Sequence, residues 1–447
     1  MSKLVLRICS RGFSTKSRRI RKSVLLQDEE KVPIDKYRVS GPKERRVFVW
    51  GYSETGALGV HTALWKHKGY LGSYVQNPTR QSFASSHDVL DVTCGYGFSL
   101  FLTKDVKGVQ VFGSGINTDC QIGFHKHGGA TNRPMHLMIY PAPIELPKKS
   151  EDEKLKIVSI AAGRAHAILL SEDGEVFSMG NNAYGQLGRE IIEEEDYVKS
   201  HIIHRFRVPD EHVCGVYCGQ DHTMLLTKSG KVFSCGWAAD GQTGSGTYET
   251  SGAIRQALGD IAGERIVKLA CAADCVLALN DRGEVFGWGN TEYGQLSSAI
   301  GSVQQIHTPI KLPTLAGLGK ITDVAAGGSH CLALNEHGDV FAWGYGILGF
   351  GPQADCVLTP RQIPAALFGR NDFNRSSVVT SISSGISHMG AINSDGDLFM
   401  WGVNKHGCLG LGNTKDMFFP FKTALGAKVL KISCGVDHTV ALCKAFV

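Results

Sequence analysis

The feature that most constrains the fold of this chain is a repeated pattern whose copies are spaced 53 to 65 residues apart. The stretch 157–188 reads IVSIAAGRAHAILLSEDGEVFSMGNNAYGQLG, and related text recurs along the chain. It contains two apolar strands joined by a glycine-containing turn, followed by a loop that ends in Gly-Gln-Leu-Gly. A chain built from such copies is expected to fold as an array of similar units rather than as several unrelated domains.

Both halves of this unit occur seven times. The first half ends in Gly-x-x-His, with five intact copies and two degenerate ones: Gly163–His166, Gly219–His222, Gly327–His330, Gly385–His388, Gly435–His438, Gly95–Phe98 and Ala272–Cys275. The second half places a glycine after a strand that resembles Val-Phe-x-Trp: Gly51, Gly115, Gly180, Gly236, Gly289, Gly344 and Gly402. The sequence therefore predicts seven units.

Each unit is expected to contain four short strands. A glycine marks the hairpin turn between the two halves, as at Gly174 and Gly396, because glycine reaches positive φ without steric cost. A proline opens a further short run in several copies, as at Pro78 and Pro309. Proline has no amide hydrogen to donate, so such a run fits an outermost edge strand. Seven units of four strands predict an all-β fold, a seven-bladed β-propeller.

The two ends of the chain supply complementary halves of one unit. The repeats begin with a second half, from Val47 to Gly59, and end with a first half, from Ile432 to Leu442. Joined, the two fragments complete one blade and remove two exposed strand edges. We therefore expect a closed propeller over residues 47–443, in which N-terminal and C-terminal strands share the last blade.

These repeats resemble the regulator-of-chromosome-condensation repeat family, whose members are seven-bladed propellers. The resemblance rests on the Gly-x-x-His turn and on the Trp-Gly-x-Asn-x-x-Gly-Gln-Leu-Gly text, and it covers nearly the whole chain. The tryptophan of this text is present in four copies and replaced in three: Trp50, Trp288, Trp343 and Trp401, against Ser114, Met179 and Cys235. We expect the repeated glycines, histidines and tryptophans to have structural roles.

Some members of that family are guanine-nucleotide exchange factors, which engage a GTPase through polar residues around one mouth of the channel. Through the turn motif, the resemblance implies four partner-facing candidates: Asp221, His222, Asp437 and His438. Some exchange factors also use a protruding wedge, and the segment 189–211 is our candidate for it. Its acidic run adds further candidates, with a solvated loop as the alternative interpretation: Glu193, Glu194, Glu195 and Asp196.

The five repeat histidines do not predict a metal site, because equivalent positions on a propeller lie well apart. We expect each ring to bond the backbone of its own turn and so to satisfy buried polar groups. Phe98 and Cys275, which replace two of the histidines, are consistent with local packing. The chain has no C-x-x-C pair, P-loop, G-x-S-x-G or H-E-x-x-H motif. We predict no metal, no cofactor and no hydrolase or transferase activity.

Charge and cysteine content limit other classes of function. The net charge is +5, but residues 1–22 hold eight basic residues and no acidic one, which leaves −3 for the remainder. The net charge of the ring is close to zero and gives no support for a nucleic-acid footprint. The sequence leaves direct binding of nucleic acid undecided. The 13 cysteines are scattered, and we interpret them as small core residues in a reducing compartment. With six tryptophans and no clustered aromatic motif expected on one face, a light-sensing role is not favoured.

Residues 1–22 show the pattern of a mitochondrial transit segment. Lys3, Arg7 and Arg11 cluster on a helical wheel beside an apolar arc, and the text around Phe13 resembles a processing site, with cleavage near 13/14. The alternative is a disordered basic arm or a nuclear localisation run at 18–22. Residues 23–46 are a polar linker. We predict a mitochondrial protein of the matrix, or of the matrix side of the inner membrane, without a transmembrane segment.

Three irregular insertions interrupt the repeats: 61–87, 124–156 and 189–211. The second ends in the charged run 148–156. Repeat text forms the scaffold of a propeller, whereas insertions commonly project from one face and bind partners. We expect the three insertions to project from one face.

Two functions stay open from sequence alone. The first, implied by resemblance to the mitochondrial branch of the family, is exchange or regulation of a mitochondrial dynamin-like fusion GTPase. The second is a non-catalytic scaffold in mitochondrial rRNA modification, large ribosomal subunit assembly and translation, with rRNA-modifying or ribosome-assembly proteins as partners. Both fit a monomer, peripheral at the inner membrane. A chromatin-bound exchange factor, whose basic arm contacts DNA phosphates, is the third interpretation.

Overall fold

The computed structural model describes residues 45–60, 74–105, 108–126, 133–151, 153–296, 301 and 303–445. The predicted transit segment, nearly all of the predicted linker and parts of the first and second insertions lie outside these residues.

The described chain is built almost entirely of short strands. In chain order they are β1 Arg45–Tyr52, β2 Tyr74–Arg80, β3 Asp88–Cys94, β4 Phe98–Asp105, β5 Gly108–Ile116, β6 Leu137–Pro143, β7 Ile157–Ala162, β8 His166–Ser171, β9 Val176–Gly180, β10 His204–Phe206, β11 Val213–Cys218, β12 His222–Thr227, β13 Val232–Gly236, β14 Ser251–Gln256, β15 Ile266–Ala270, β16 Cys275–Asn280, β17 Val285–Asn290, β18 Gln305–Lys311, β19 Ile321–Ala326, β20 His330–Asn335, β21 Val340–Tyr345, β22 Cys356–Gln362, β23 Val379–Ser384, β24 His388–Asn393, β25 Leu398–Gly402, β26 Met417–Lys422, β27 Ala427–Cys434 and β28 His438–Ala445.

Helical segments in these residues are limited to single turns. They are one α-helix, α1 Phe83–Ser86, and 3₁₀ turns at Tyr197–Lys199, Gly259–Ile261, Pro313–Leu315, Ala365–Phe368 and Lys405–Gly407. Across the described ranges, no helix has the length and apolarity needed to cross a bilayer.

The strands form seven four-stranded antiparallel sheets, which confirms the seven-bladed propeller. Blades 1 to 6 each use four consecutive strands, β3–β6 through β23–β26, and blade 7 has the order β2-β1-β28-β27. The first strand of each blade lines the centre and the fourth lies outermost. The predicted proline-containing runs are outermost strands, since Pro78 lies in β2 and Pro309 in β18.

The closure of the ring matches the complementary ends seen in the sequence. Strand β1 pairs with β28, with Val47 opposite Leu442 and Gly51 opposite His438, and β27 pairs with the other edge of β28. The N-terminal strand therefore completes a sheet that the C-terminal strands begin. This pairing leaves neither β1 nor β28 as an open edge.

Second strands are buried along their whole length, as in β8 and β12, because each blade packs between two neighbours. This explains why these strands read as continuous apolar runs. In several blades, though not in blade 6, where Trp401 Nε1 has no partner among the described residues, the residue before the third-strand glycine ties its blade to the preceding one. Nε1 of Trp50, Trp288 and Trp343 donates to a backbone carbonyl there, at 2.7 to 2.9 Å. Ser114 Oγ makes the equivalent bond to Ala57 O at 3.1 Å, so the serine replacement preserves the tie.

The ring has two faces with different loops. The Gly-x-x-His turns and the connections from third to fourth strands lie on one face, here named the turn face. The second-to-third hairpins and the connections between blades lie on the other, the hairpin face.

The expectation that the three insertions project from one face is wrong. Each insertion contains the outermost strand of its blade, β2, β6 or β10, and that strand runs from the turn face to the hairpin face. The charged run 148–156 lies on the hairpin face, where Lys149 contacts Glu175 at 2.5 Å and Arg205 pairs with both Glu153 and Glu175. This network fixes the run against blade 2.

Candidate functional site

The Gly-x-x-His turns converge around the mouth of the central channel on the turn face. Neighbouring turns are joined by backbone hydrogen bonds, for example from Arg164 N to Gln220 O at 2.9 Å and from Gly328 N to Ile386 O at 3.0 Å. Tyr96, in the first turn, donates its hydroxyl to Ala272 O at 3.4 Å. Because Ala272 belongs to blade 4, Tyr96 reaches across the mouth, and burial raises the pKa of its hydroxyl.

The glycine of this turn is required because the side chain three residues later folds back over it. A Cβ added at Gly219 would overlap the His222 ring, and one at Gly435 would lie 2.7 Å from His438 Cε1. The histidine then starts the second strand opposite the third-strand glycine, as His222 does opposite Gly236. The motif thus positions a buried ring directly beneath the turn.

Four of the five repeat histidines bond a hydroxyl of the next blade rather than the backbone of their own turn, which corrects the sequence-based expectation. The Nε2–Oγ distances are His166–Thr223 3.2 Å, His330–Ser384 2.6 Å, His388–Thr439 3.0 Å and His438–Ser99 3.0 Å. His222 has no such bond, and Val276 occupies in blade 4 the position that Thr223 occupies in blade 3. The histidines are therefore contacts between blades.

The candidates His222 and His438 are fully buried, so they are not partner-facing. Burial lowers the pKa of His222 and of His330 to about 4, and that of His166 and of His388 to about 3. These four rings are neutral near pH 7. Their buried position follows from the second strand, which packs on both faces.

His438 differs from the other four. Burial alone would lower its pKa, but Cys94 and Asp437 raise it to about 10. Asp437 Oδ1 lies 3.5 Å from His438 Nδ1. Burial on its own would raise the pKa of the Asp437 carboxyl, but the His438 ring holds that pKa below its usual value.

Asp221 occupies the same turn position as Asp437 but has a different partner. Arg164, from the preceding blade, makes two contacts with its carboxylate, Nη2–Oδ2 at 2.6 Å and Nε–Oδ1 at 3.1 Å. Burial raises the pKa of Asp221, opposed by Arg164. The two candidate carboxylates lie at the same mouth but in blades 3 and 7, so the structure does not bring them together.

The mouth also carries a carboxyl group that sequence analysis did not single out. Asp274, in the degenerate turn of blade 4, accepts a bond from Gln242 Nε2 at 3.0 Å. Burial raises its pKa to about 6, and Asp240 and Asp221 add to the shift. A signal was present in the sequence, because Asp274, Asp221 and Asp437 all precede the last residue of their turn.

Aromatic side chains are concentrated on the turn face, contrary to expectation. Three close ring pairs join neighbouring blades: Tyr184–Trp237 at 4.7 Å, Tyr293–Tyr345 at 6.0 Å and Tyr52–His406 at 4.4 Å between centroids. Tyr293 and Tyr345 are 43% and 46% exposed. They were missed because they lie far apart in sequence, each beside a repeat glycine.

Three of the four residues of the acidic run are exposed, and Glu195 is the exception. Glu195 is ion-paired with Arg189, and both side chains are nearly buried. Asp196 caps the 3₁₀ turn Tyr197–Lys199 by accepting from Val198 N at 3.1 Å. Glu193 and Glu194 are exposed. The segment 189–211 folds back towards blade 1, where His201 packs on Phe124 with centroids 3.7 Å apart.

Metal ligation has no support in the described part of the chain, where no group of three or more His, Cys, Asp or Glu could hold an ion. The 12 described cysteines are free, and most are buried.

Comparison with known proteins adds family information to this geometry. Residues 200–445 match the RCC1-like domain, and residues 46–102, 157–186 and 173–226 match the regulator of chromosome condensation (RCC1) repeat. The chain is 42% identical over 426 residues to the RCC1-like G exchanging factor-like protein of Mus musculus, covering 94% of this chain and 92% of the relative.

Two solved structures have a fold similar to that of this chain. The crystal structure of human WBSCR16 has a TM-score of 0.83 at 40% identity and covers 90% of this chain and all of its own. Prp20p from Saccharomyces cerevisiae has a TM-score of 0.71 at 20% identity, covering 91% and 93%, which shows the shared fold. The propeller, its repeat motifs and these matches together show that the chain belongs to the RCC1 repeat family.

Proposed function

We propose that this protein binds a GTPase through the turn face and promotes release of its guanine nucleotide. The observation that carries the proposal is the 42% identity, over 94% of the chain, to a relative described as an exchanging factor-like protein. Prp20p, which shares the fold, has been characterised for its binding to Gsp1p and to histones. The protein acts by binding, without hydrolase or transferase chemistry of its own.

The turn face has the composition of a protein-binding surface. Exposed aromatic side chains such as Tyr293 and Tyr345 supply large contact area at low entropic cost, and such residues dominate binding energy at interfaces. The mouth also carries polar groups such as Asp274 and Arg164, and groups of this kind fix the register of a bound partner.

The cellular setting is proposed from the N-terminal sequence. The eight basic residues and absence of acidic ones in 1–22 fit import into mitochondria. The partner is then a mitochondrial GTPase, with the dynamin-like fusion GTPase of the inner membrane as first choice, met from the matrix side. We expect a C-terminally tagged protein to co-localise with mitochondria and to lose that localisation when residues 1–22 are removed; nuclear signal would contradict this.

Nucleotide release tests the exchange activity. Fluorescent GDP would be preloaded on purified mitochondrial GTPases, and its release followed by stopped flow with saturating full-length protein. We expect acceleration with one GTPase, and a loss of at least about tenfold in kcat/KM for the Tyr293→Ala/Tyr345→Ala variant, equivalent to about 1.4 kcal/mol. The matched control is Phe373→Ala, because Phe373 is fully exposed on the hairpin face. Absence of acceleration with every GTPase would reject exchange.

A second function, scaffolding of mitochondrial ribosome assembly, is favoured by a different observation. His222 and His438 are buried, Asp221 is held by Arg164 and Glu195 is paired with Arg189, so few of the predicted polar groups are free to act on a nucleotide site. Affinity purification from mitochondria tests this function. We expect large-subunit rRNA or its modification factors among the recovered partners; their absence, alongside measured exchange, would exclude the scaffold role.

A further inference from the structure

A central cavity of about 390 Å³ is lined by thiols from the innermost strands. Four of them occupy the same repeat position, immediately before the first residue of the Gly-x-x-His turn or its degenerate copy: Cys94, Cys218, Cys271 and Cys434. Alanine or serine fills this position in the other three blades. The lining of the cavity thus includes cysteines at four equivalent positions of the repeat.

Exposure does not distinguish these thiols. Cys94, Cys271 and Cys434 are each 8% exposed, and Cys218 is more exposed than any of them. Differences in reactivity at this level of the channel must therefore come from the groups around each sulfur. Thiol reactivity is controlled by neighbouring cations and hydrogen bonds, since the thiolate is the reactive form.

Cys94 lies in a chain of polar groups that ends at Asp437. Its thiol donates to Ser433 O at 3.2 Å, and Ser99 Oγ lies 4.0 Å from its sulfur. Ser99 Oγ in turn lies 3.0 Å from His438 Nε2, and His438 Nδ1 lies 3.5 Å from Asp437 Oδ1. Cys94 and Asp437 raise the pKa of His438 to about 10, so the ring is protonated near pH 7.

Two of the other three thiols also reach a histidine through a hydroxyl, Cys218 through Thr223 to His166 and Cys434 through Thr439 to His388, but neither chain ends at a carboxylate. The histidine of the preceding blade follows Ala165 for Cys218 and Ser387 for Cys434, so neither ring has a carboxylate beside it. For Cys271 the preceding turn does carry Asp221, but Arg164 engages that carboxylate. Burial raises the pKa of the Cys271 and Cys434 thiols to about 12, and that of Cys218 well above its usual value.

We infer that Cys94 is an oxidation-sensitive thiol that reacts with hydrogen peroxide, or another small hydroperoxide, entering the central cavity. The Cys94 sulfur attacks one peroxide oxygen, and the O–O bond breaks. The departing hydroxide takes a proton that His438 supplies through Ser99, and it leaves as water. The proton of the Cys94 thiol then passes through Ser99 and restores the proton on His438. Sulfur is oxidised from thiol to sulfenic acid, and the peroxide is reduced to water.

Site-resolved oxidation tests this inference without a variant. The full-length protein would be exposed to hydrogen peroxide with dimedone, which traps sulfenic acid, and each cysteine followed by mass spectrometry. We expect Cys94 to be labelled at least about tenfold faster than Cys271 and Cys434, despite equal exposure. The exposed Cys356 provides the scale for an unassisted thiol. Equal labelling of Cys94, Cys271 and Cys434 would overturn the inference.

A matched pair of variants identifies the cause. Asp437→Asn removes the carboxylate beside His438, and we expect the rate at Cys94 to fall to that of Cys434. Asp221→Asn changes the equivalent residue of blade 3 and should leave the rate at Cys94 unchanged. If both variants slow Cys94 equally, or neither does, Asp437 and His438 do not assist the thiol. The comparison of thiols within the wild-type protein remains decisive if a variant unfolds.

Discussion

The turns of blade 3 and blade 7 have nearly the same sequence but different electrostatics. One reads Gly-Gln-Asp-His at 219–222 and the other Gly-Val-Asp-His at 435–438. In blade 3 the aspartate is taken by Arg164, and the histidine beneath it is neutral, with a pKa of about 4. In blade 7 the carboxylate faces its own histidine, whose pKa is about 10. Identical motifs thus hold a neutral ring in one blade and a charged ring in another.

The difference comes from neighbouring blades rather than from the turns themselves. Blade 2 supplies Arg164 to blade 3, whereas blade 6 presents Ile386 at the corresponding position before blade 7. Blade 1 then supplies Ser99 and Cys94 to His438, whereas blade 4 presents Val276 and Cys271 to His222. A buried carboxylate interacts with whichever cation is nearest, since an unpaired buried charge is costly.

The largest expected effect is a loss of stability when the glycine that the two turns share is replaced. Gly219→Ala places a methyl group into the His222 ring, and Gly435→Ala places one 2.7 Å from His438 Cε1. We expect both variants to be destabilised by about 3 kcal/mol, with the larger loss at Gly219. Chemical denaturation measures this. A greater loss at Gly435, or no loss at either site, would contradict the packing described.

A smaller effect separates the two histidines by pH. The folded-state pKa of His222 is depressed to about 4, so its stability contribution is present above the unfolded value near 6.5 and is lost as pH falls towards 4. The folded-state pKa of His438 is raised to about 10. The contribution of His438 to stability is therefore present below about pH 6.5 and is lost as pH rises towards 10.

Substitution of His222 tests this assignment. His222→Phe introduces the residue that blade 1 has at this position, Phe98. The substitution breaks no hydrogen bond to the next blade, because Val276 has no hydroxyl. We expect it to reduce the loss of stability between pH 6.5 and 4 by about 3 kcal/mol and to leave the alkaline limb unchanged. Denaturant unfolding across this pH range, with wild type as control, provides the measurement. An altered alkaline limb would count against the assignment.

The smallest effect makes blade 3 more similar to blade 7. Arg164→Gln removes the cation that holds Asp221 while keeping a polar side chain. Because Arg164 is nearly half exposed, we expect a cost of only about 1 kcal/mol at neutral pH, decreasing as pH falls and Asp221 becomes protonated. Lys228→Gln, at a position of the hairpin face, serves as a charge-matched control. A cost that grows at low pH would contradict the role given to Arg164.

Sequence patterns predicted the scaffold in detail because the constraints on a repeat are local. The third-strand glycines are needed wherever the backbone adopts positive φ opposite a bulky residue, as Gly51 does at φ 109° opposite His438. The complementary halves at Val47 and Leu442 indicated ring closure for the same reason, since half a blade leaves open edges.

Prediction of the candidate site was less complete because its chemistry is shared between blades. Asp221 and Asp437 were identified by their motif, but the motif does not show which cation each one meets. Tyr293 and Tyr345 were missed, although each lies beside a repeat glycine, because their pairing depends on the packing of blade 4 against blade 5. Burial of His222 and His438 likewise follows from neighbours on both sides.

The sequence by itself determined the number of blades, the strands within each blade and the sharing of blade 7, because these depend on periodicity and on the conformations that glycine and proline allow. Only the tertiary structure decided which side chains face the turn face, which carboxylates are paired and which histidine is charged. Those properties depend on desolvation and on charges only a few ångströms away, and ring closure brings such groups together from positions more than 300 residues apart, as with Ser99 and His438.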